Sequence, residues 1–533
     1  MSVSKLVEIE SVLACLCILS FASAALSGTP VAYTASGLVA GNRLTLSENE
    51  VDVFSGIPYA LPPLGDLRFR KPIPVASWNG TYNATSQPTP CVQLYVGLSE
   101  AASVNYTDTS EDCLYLNIWR PSSVCNGSLK CRARLPVVVF IHGGAFQWGD
   151  SSLPAYDGSN LVATCDVVFV SFNYRLGFFG FLSLGTPELP GNVGLWDQTL
   201  ALKWVHDNIV YFGGASEDVT LWGHSAGAAS AGFHAVSPHS KGLFGKLILQ
   251  SGTPLLTILT VSHKRVARFL EISNALGCYN FSREWMSQVP DMIDCLRKVD
   301  AREIVKQIRS DSPINRFYPP GHGDEFLPDD PLADDTWEKL NTKSMFAGYT
   351  LNEGTLVVRY LRQVVPQLNN LQDNDYRFAM TIALSVLLNI PVSAGRKIIT
   401  AYFGDYDIVH DDETVFAIMA EAIGDAVFKC PADLLTLKAS DQGKGAYKYV
   451  FAHRPSFSPW PSDVGVSHAD DLPFMLGSLV TLGGVQKQSD PVTGQSANVL
   501  NYSKYSPQEL NFTNDLLHML SSFVKTGWVL QHS

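Results

Sequence analysis

Short apolar runs, separated by polar and glycine-rich stretches, recur through the first half of this chain. Residues 137–141 and 167–172 are almost entirely apolar and rich in valine. Residues 219–222 and 247–250 are further short runs that are mostly apolar. Runs of this length predict strands that are buried on both faces, as in a parallel sheet.

The segments between these runs have helical spacing. Over residues 196–211, Leu202, Val205 and Ile209 recur at intervals of three and four, and the diglycine at 213–214 ends the pattern. A helix is also predicted from residue 226, where an alanine-rich stretch begins. Alternation of strands and helices predicts an α/β fold, in which a mostly parallel sheet is covered by helices on both faces.

The second half of the chain is more helical. Helical patterns cover residues 261–276, 290–309 and about 370–425. Within the last of these, the apolar run 378–390 is too short to cross a bilayer and predicts a buried helix. Runs at 345–349 and 447–452 predict two strands that return to the sheet. There is no internal repeat and no linker, so residues 25–533 are predicted to form one domain.

Residues 1–24 have the features of a secretory signal peptide. Lys5 precedes an apolar stretch at 12–21, and Ala22-Ser23-Ala24 forms a cleavage site of small residues. The apolar stretch is too short for a membrane anchor. No transmembrane anchor is therefore expected, and the mature chain is expected outside the cell or in the secretory lumen.

An exported chain can form disulfides and carry glycans. The cysteine spacing indicates three short loops, Cys91–Cys113, Cys125–Cys131 and Cys278–Cys295. Cys165 and Cys430 are then expected to be free and buried, although spacing alone does not fix the pairing. Sequons of the form Asn-x-Ser/Thr predict glycosylation at Asn79, Asn83, Asn105, Asn126, Asn280, Asn501 and Asn511.

Composition excludes several partners. The net charge of −12 argues against nucleic acid or an anionic membrane surface. No Cys-x-x-Cys pair or His/Cys cluster indicates a metal, and no cofactor is expected. The sequence does not indicate an oligomeric state.

Residues 219–227 carry the main chemical motif, in which a predicted strand leads into Gly-His-Ser-Ala-Gly and a predicted helix. This order predicts a sharp turn that exposes the hydroxyl of Ser225 at the end of a strand. Gly223 and Gly227 are small enough for the close approach that such a turn needs. Taken alone, the motif also fits a simple small-residue turn in a chain with 41 glycines.

A nucleophilic serine needs a base. In the order typical of α/β-hydrolases, an acid and then a histidine follow the serine, each after a strand. His453 and His468 both follow the predicted strand 447–452. His453 directly adjoins that strand and has the simpler role of capping it, whereas His468 lies in a polar loop that can reach Ser225.

The acid and the oxyanion donors are sought at other strand ends. Glu353 follows the predicted strand 345–349 and is the first candidate for the acid, with Asp425 as its rival. An exposed loop glutamate is the alternative reading of Glu353. The loop 141–145, Ile-His-Gly-Gly-Ala, brings backbone N–H groups after a buried strand, where glycines allow close approach to a developing oxyanion.

Taken together, these residues resemble the type-B carboxylesterase family, which includes the cholinesterases, over nearly the whole mature chain. The matching segments are residues 54–60, 63–69, 111–117, 142–144, 173–175, 223–227, 250–252, 352–354 and 468–473. The resemblance implies the α/β-hydrolase fold, with residues 25–533 as a single catalytic domain that carries helical insertions.

The resemblance also implies roles for individual residues. Ser225 corresponds to the nucleophile, Glu353 to the acid and His468 to the base. The amides of Gly143, Gly144 and Ala226 correspond to the oxyanion hole, and Ser251 corresponds to a serine that supports the acid. The family pattern also matches the pairs Cys91–Cys113 and Cys278–Cys295. It usually has glycine after the histidine, where this chain has Ala469.

Two departures concern the substrate. Cholinesterases hold the quaternary ammonium on a tryptophan in the first disulfide loop, but residues 92–112 contain no tryptophan. Leu356 and Val357 stand where those enzymes have aromatic side chains. Choline esters are therefore not the expected substrates.

Three side chains are predicted to line the substrate site. Phe317 and Tyr318 precede Asp-Glu-Phe-Leu-Pro at 324–328 and resemble the acyl-pocket loop of the family, with ordinary core packing as the alternative. Trp222, close to the elbow, is the third candidate.

The expected function is that of a secreted, glycosylated serine carboxylesterase that acts on a small-molecule ester. Two alternatives stay open. One is a lipase of neutral lipids, and the other is a non-catalytic, cholinesterase-like adhesion protein.

Overall fold

The computed structural model describes residues 29–479 and 505–529, except for residues 47, 95–107, 126–130, 132, 187, 256–262, 310–316, 365–372, 388–389 and 405–410. The predicted signal peptide lies outside these residues. The strands within them are β1 (Val31–Thr34), β2 (Gly37–Ala40), β3 (Asn42–Leu46), β4 (Asn49–Pro58), β5 (Thr81–Asn83), β6 (Tyr115–Pro121), β7 (Leu135–Ile141), β8 (Val168–Phe172), β9 (Gly214–His224), β10 (Lys246–Gln250), β11 (Ser344–Thr350) and β12 (Gly445–Phe451).

The helices of the same residues surround the sheet and fill the second half of the chain. They are α1 (Ser122–Cys125), α2 (Ser159–Cys165), α3 (Gly177–Phe181), α4 (Val193–Asn208), α5 (Ala226–Val236), α6 (His263–Ala275), α7 (Val289–Leu296), α8 (Ala301–Arg309), α9 (Gly354–Val364), α10 (Asp373–Leu387), α11 (Val392–Phe403), α12 (Asp412–Gly424), α13 (Cys430–Asp441), α14 (Leu472–Met475) and α15 (Pro507–Thr526).

In the described part of the chain, nine strands form one sheet with the order β12-β11-β10-β9-β7-β8-β6-β4-β3. The strands from β12 to β8 pair in parallel, and β6, β4 and β3 continue the sheet with antiparallel pairs. The predicted mostly parallel sheet is therefore confirmed. Since the carboxyl ends of the parallel strands share one edge, loops from β7, β9, β10, β11 and β12 meet there.

Two apolar layers cover the two faces of the sheet. Along β7, Val137, Val139 and Ile141 belong to one buried cluster, whereas Val138 and Phe140 belong to the other. Successive side chains of a strand point to opposite faces, so an unbroken apolar run fills both layers at once. This explains why the strands of the parallel region are recognisable as short apolar runs.

Two helical predictions needed correction. The pattern predicted at 290–309 is divided between α7 and α8, with the break at residues 297–300. The apolar run 378–390, of which residues 388–389 lie outside the described part, begins within α10, but only one face of the helix is buried. Met380 and Leu384 are buried, whereas Phe378 is 65% exposed and Ile382 is 37% exposed. No helix of the described residues is both long enough and apolar enough to cross a membrane.

The cysteines form the three expected pairs, Cys91–Cys113, Cys125–Cys131 and Cys278–Cys295. Cys165 is free and buried, whereas Cys430 is exposed, contrary to the expectation that both are buried. Four of the sequon asparagines are exposed, namely Asn79, Asn83, Asn280 and Asn511. The other three, Asn105, Asn126 and Asn501, lie outside the described residues.

Candidate active site

Ser225 lies in the turn between β9 and α5. Its backbone has φ 56° and ψ −121°, and its N–H donates to the carbonyl of Gln250 at 2.8 Å. A Cβ atom on Gly223 would lie 2.0 Å from the carbonyl oxygen of Gly227, and one on Gly227 would lie 2.0 Å from that of Ile141. Both positions therefore require glycine, and the turn holds Ser225 in a conformation that costs roughly 1–3 kcal/mol.

His468 is the base candidate that the fold brings to this serine. Its Nε2 lies 3.0 Å from Ser225 Oγ, and its Nδ1 lies 2.6 Å from Glu353 Oε2. The three side chains come from three loops at the carboxyl ends of β9, β11 and β12. Such a chain of hydrogen bonds allows the imidazole to take the hydroxyl proton while the carboxylate stabilises the resulting imidazolium.

Glu353 is not the exposed loop glutamate of the alternative reading, because its side chain is 0% exposed. Its Oε1 accepts a hydrogen bond from the Thr350 N–H at 2.7 Å, which fixes the carboxylate at the end of β11. Ser251, the expected support of the acid, does not bond to it. The Ser251 Oγ is buried and has no hydrogen-bond partner among the described residues.

The electrostatic surroundings favour the charged form of His468. Burial by itself lowers the pKa of the imidazole, but the charge of Glu353, its hydrogen bond and the charges of Asp471 and Asp470 raise it, and the net pKa is raised. A raised pKa makes His468 a stronger base once it is neutral.

Two aromatic rings contact the imidazole of His468. The ring centroid of His224 lies 5.0 Å away and that of Phe428 lies 4.9 Å away. Burial, followed by the charge of His468, lowers the pKa of His224, so that this neighbour is neutral. Phe428 belongs to a π-helical turn, Asp425–Lys429, between α12 and α13. Sequence reasoning missed Phe428, because a π turn has no recognisable sequence pattern.

The predicted oxyanion loop lies directly against the elbow. A Cβ atom on Gly143 would lie 3.0 Å from the Ser225 Cβ, and one on Gly144, where φ is +115°, would lie 1.8 Å from the Trp148 carbonyl oxygen. In the described structure, no intramolecular hydrogen bond uses the N–H groups of Gly143, Gly144 and Ala226. All three stay candidates for oxyanion donors.

The loop offers one further donor that the sequence reasoning did not name. Ala145 follows the two glycines with φ 54°, and within the described residues its N–H also has no intramolecular acceptor. Its position directly after the diglycine was the available indication. The oxyanion donors of the loop are therefore to be sought among Gly143, Gly144 and Ala145.

The rival residues have other partners. His453 Nε2 contacts Glu509 Oε1 at 3.0 Å, which ties the loop after β12 to α15. Asp425 accepts a hydrogen bond from the Tyr402 hydroxyl at 2.6 Å and pairs with Lys429 at 3.1 Å. Neither His453 nor Asp425 joins the hydrogen-bonded chain of Ser225.

The three predicted substrate-binding residues have different positions. Tyr318 is buried, packs edge-on against Phe178 at 5.5 Å and lines a small apolar recess with Gln147. Phe317 is partly buried. Gln147 lies two residues after the oxyanion loop, so the recess that Tyr318 lines is close to that loop in the chain. The acyl-side role of Phe317 and Tyr318 stays a prediction.

Trp222 was wrongly assigned to the substrate site. Its side chain is 1% exposed, lies in the core cluster and packs against Phe140. Its indole N–H donates to Gln250 Oε1 at 2.9 Å. The described residues also contain no group of three His, Cys, Asp or Glu side chains arranged to hold a metal.

A serine on a strand–turn–helix elbow, bonded through a histidine to a buried carboxylate, is the arrangement of a serine hydrolase with the α/β-hydrolase fold. The chain belongs to the carboxylesterase family, whose family model matches residues 28–531. It is accordingly a carboxylic ester hydrolase.

Several curated relatives are similar over most of their length. Acetylcholinesterase-1 of Trittame loki is 36% identical over 459 residues, which cover 84% of this chain and 81% of the relative. Acetylcholinesterase of Leptinotarsa decemlineata is 35% identical over 474 residues, covering 84% and 74%. Cholinesterase of Mus musculus is 36% identical over 459 residues, covering 83% and 73%.

Proposed function

We propose that this protein is a secreted carboxylesterase in which Ser225, His468 and Glu353 form the catalytic triad. The observation that carries the proposal is the hydrogen-bonded chain from Ser225 Oγ through His468 to Glu353, with distances of 3.0 Å and 2.6 Å. Export is supported by the predicted signal peptide and by three disulfides, which persist in oxidising compartments.

In the acylation step, Ser225 Oγ attacks the ester carbonyl carbon while His468 Nε2 takes the hydroxyl proton. The carbonyl oxygen becomes an oxyanion, which accepts hydrogen bonds from Ala226 N–H and from the loop amides. His468 then donates the proton to the alcohol oxygen as the carbon–oxygen bond breaks. The alcohol leaves, and the acyl group stays on Ser225.

Deacylation repeats these transfers with water. A water molecule attacks the acyl carbon and passes a proton to His468, and the tetrahedral intermediate uses the same amides. When the bond to Ser225 Oγ breaks, His468 returns the proton to the serine and the carboxylic acid leaves. The buried carboxylate of Glu353 stabilises the imidazolium in both steps.

We infer that the preferred substrates have an uncharged alcohol group, although the relatives above are named as cholinesterases. Leu356 and Val357, on the first turn of α9, are aliphatic, and residues 92–112 contain no tryptophan. The residue beside the nucleophile, His224, is a neutral imidazole that supplies no negative charge. These features leave a quaternary ammonium without its aromatic surface.

We expect a neutral ester to be hydrolysed at least as well as its choline isostere. The measurement is kcat/KM for butyrylcholine and for 3,3-dimethylbutyl butyrate, which replaces the charged nitrogen with carbon. Loss of a cation–π contact is worth about 0.5–2 kcal/mol, which corresponds to roughly 2- to 30-fold in kcat/KM. A tenfold or greater preference for the choline ester would contradict the substrate assignment while leaving the esterase assignment intact.

The acid limb of the pH profile is expected above the ordinary histidine range. His468 must be neutral to accept the serine proton, and its pKa is raised because Glu353, Asp471 and Asp470 outweigh the effect of burial. As the pH falls through this raised pKa, kcat/KM should fall. The measurement is kcat/KM for p-nitrophenyl butyrate against pH, with intrinsic fluorescence as the control for unfolding. An acid limb below about pH 6.5, the ordinary histidine value, would contradict it.

A further inference from the structure

The donor turn, residues 143–149, is bonded at its last residue to the side chain of Gln93. Gln93 lies two residues after Cys91, in the loop that the Cys91–Cys113 disulfide closes, and it is 7% exposed. Its Oε1 accepts the N–H of Gly149 at 2.8 Å, and its Nε2 donates to the Gly149 carbonyl at 3.1 Å. One carboxamide therefore bonds both backbone groups of Gly149.

The carboxamide of Gln93 is itself fixed in place. Its Nε2 also donates to the carbonyl of Cys91 at 2.9 Å, so both side-chain polar atoms have partners. A buried polar group with its hydrogen bonds satisfied specifies one arrangement of its neighbours. Gln93 therefore fixes the position of Gly149 relative to the base of the first disulfide loop.

Gly149 packs directly against the start of the donor turn. Its backbone has φ +114°, and a Cβ atom there would lie 2.7 Å from the Gly143 carbonyl oxygen and 2.7 Å from His142 Nδ1. His142 Nδ1 in turn lies 2.8 Å from the Gly143 carbonyl oxygen. The two ends of the turn are in contact, so a displacement of Gly149 displaces Gly143 in this close-packed interior.

The middle of the donor turn is tied to the same end. The Gly144 carbonyl accepts the N–H of Gln147 at 2.9 Å and that of Trp148 at 3.1 Å. On the side of the nucleophile, a Cβ atom on Gly143 would lie 3.0 Å from the Ser225 Cβ. The turn is thus a closed unit that contacts Ser225 through Gly143 and bonds to Gln93 through Gly149.

A purely structural role for Gln93 would consist of satisfying the buried backbone of Gly149. Catalysis demands more than satisfied groups, because oxyanion donors must lie about 2.7–3.1 Å from the position of the oxyanion. A misplacement of about 1 Å, even one caused by a change outside the reacting groups, costs about 10²-fold in rate. The two roles therefore differ in their effect on kcat.

We propose that Gln93 is a positioning residue that holds the donor turn at Gly149, so that the amides of Gly143 and Gly144 keep their place beside Ser225. It acts through Gly149 and touches neither the substrate nor the reacting atoms. The inference rests on the proposed function, since it concerns the oxyanion donors of that esterase.

The test replaces Gln93 with methionine, whose unbranched side chain has nearly the same length but no amide. Gly149 then loses the partner of both its backbone groups, and the donor turn can shift. For p-nitrophenyl butyrate, kcat should fall roughly 10- to 100-fold, because the oxyanion forms only after substrate has bound. KM should change by less than about twofold.

The matched control is Gln288→Met in the other long disulfide loop, Cys278–Cys295. Gln288 is 4% exposed, and its carboxamide bonds backbone groups in the same way. Its Oε1 accepts the Asn280 N–H at 3.3 Å, and its Nε2 donates to the Asn280 and Arg283 carbonyls at 3.1 Å. Thermal unfolding should change to a similar extent in both variants, whereas kcat should fall only in Gln93→Met.

A pair of ketones gives a readout that a structural role would not move. With 3-butylthio-1,1,1-trifluoropropan-2-one, Ser225 Oγ adds to the ketone carbon and its proton passes to His468. The resulting hemiketal oxyanion uses the same amides as the transition state, so Ki in Gln93→Met should rise by about the factor by which kcat falls. The matching methyl ketone, 1-butylthiopropan-2-one, stays an uncharged ketone, and its Ki should change by less than about twofold.

The outcomes distinguish this inference from the proposed function. If wild type neither hydrolyses esters nor reacts with a fluorophosphonate, the proposed function fails. If wild type is active and Gln93→Met keeps its kcat, the positioning role is overturned and the triad stands. An equal loss of kcat in Gln288→Met, or an equal rise of Ki for both ketones, would also overturn it.

Gln93→Asn keeps the test decisive if the methionine variant fails to fold. Asparagine retains the amide but withdraws it by one methylene group, so that it cannot bond Cys91 and Gly149 together. It should lower kcat and raise the Ki of the trifluoromethyl ketone in the same pattern, by a smaller factor. A folded Gln93→Asn variant with the kcat of wild type would overturn the positioning role.

Discussion

Replacing Ser225 with alanine is expected to lower kcat for a neutral ester by on the order of 10⁴- to 10⁶-fold, as loss of a serine nucleophile does elsewhere. The residue should keep its positive φ of 56°, because alanine and serine both carry a Cβ atom. Among the described residues, the hydrogen bond of the Ser225 Oγ is to His468, which lies in the site rather than in the core clusters. Thermal unfolding and secretion should therefore stay close to wild type.

The control for this prediction is Ser230→Ala on the same helix. Ser230 Oγ accepts a hydrogen bond from Gln198 at 3.1 Å, away from His468. Its loss should cost about 1 kcal/mol in the free energy of unfolding and leave kcat unchanged. Peptide mapping after organophosphate treatment should find the adduct on Ser225. An adduct on a different serine, or substantial activity in Ser225→Ala, would refute the nucleophile assignment.

The elbow and the parallel strands were predictable because their causes are local. Within 219–227, a strand, two obligatory glycines and a helix occupy nine consecutive positions, and each glycine is required by a contact inside the elbow or with β7. The base and the acid were predictable from their order in the chain, since the acid and then the histidine each had to follow a strand after Ser225. The polar loop around His468 favoured it over His453, which directly adjoins the strand. The contact of His468 Nε2 with Ser225 Oγ depends on the three-dimensional path of that loop.

The error over Trp222 has a simple physical cause. Side chains on a strand alternate between the two faces of a sheet, and three positions separate Trp222 from Ser225. Leu221 joins one buried cluster, whereas Trp222 joins the other. Nearness to Ser225 in the sequence was therefore misleading, because the strand directs the indole into the core, where its N–H donates to Gln250 Oε1.

Other features depended on contacts between distant segments. The antiparallel strands β3, β4 and β6 were not predicted. They do not alternate with helices along the sequence, and this alternation was the pattern that indicated the parallel strands. The Tyr449–Asp471 bond joins a strand to the loop that precedes α14, and the Phe428 ring reaches His468 from an insertion. Each contact joins residues from different elements, and no fixed spacing in the sequence predicts such a contact.

The choice of His468 over His453 predicts opposite effects from the same substitution. His468→Ala should lower kcat by on the order of 10⁴- to 10⁶-fold, because it removes the base that contacts the Ser225 Oγ in the described structure. Glu353→Gln should be less severe, by about 10²- to 10⁴-fold, since the imidazole stays but its orientation and charge partner are lost.

His453→Ala is the matched histidine substitution, and it should act on stability. His453 contacts Glu509, whose carboxylate also accepts hydrogen bonds from Ser456 and Ser506 and so joins the loop after β12 to α15. Removing one partner of this carboxylate should lower the free energy of unfolding by about 1 kcal/mol and change kcat by less than about twofold. The measurements are kcat for p-nitrophenyl butyrate and thermal unfolding of both variants. A large loss of kcat in His453→Ala with a mild one in His468→Ala would reverse the assignment, because the base must be the histidine whose removal stops proton transfer without unfolding the protein.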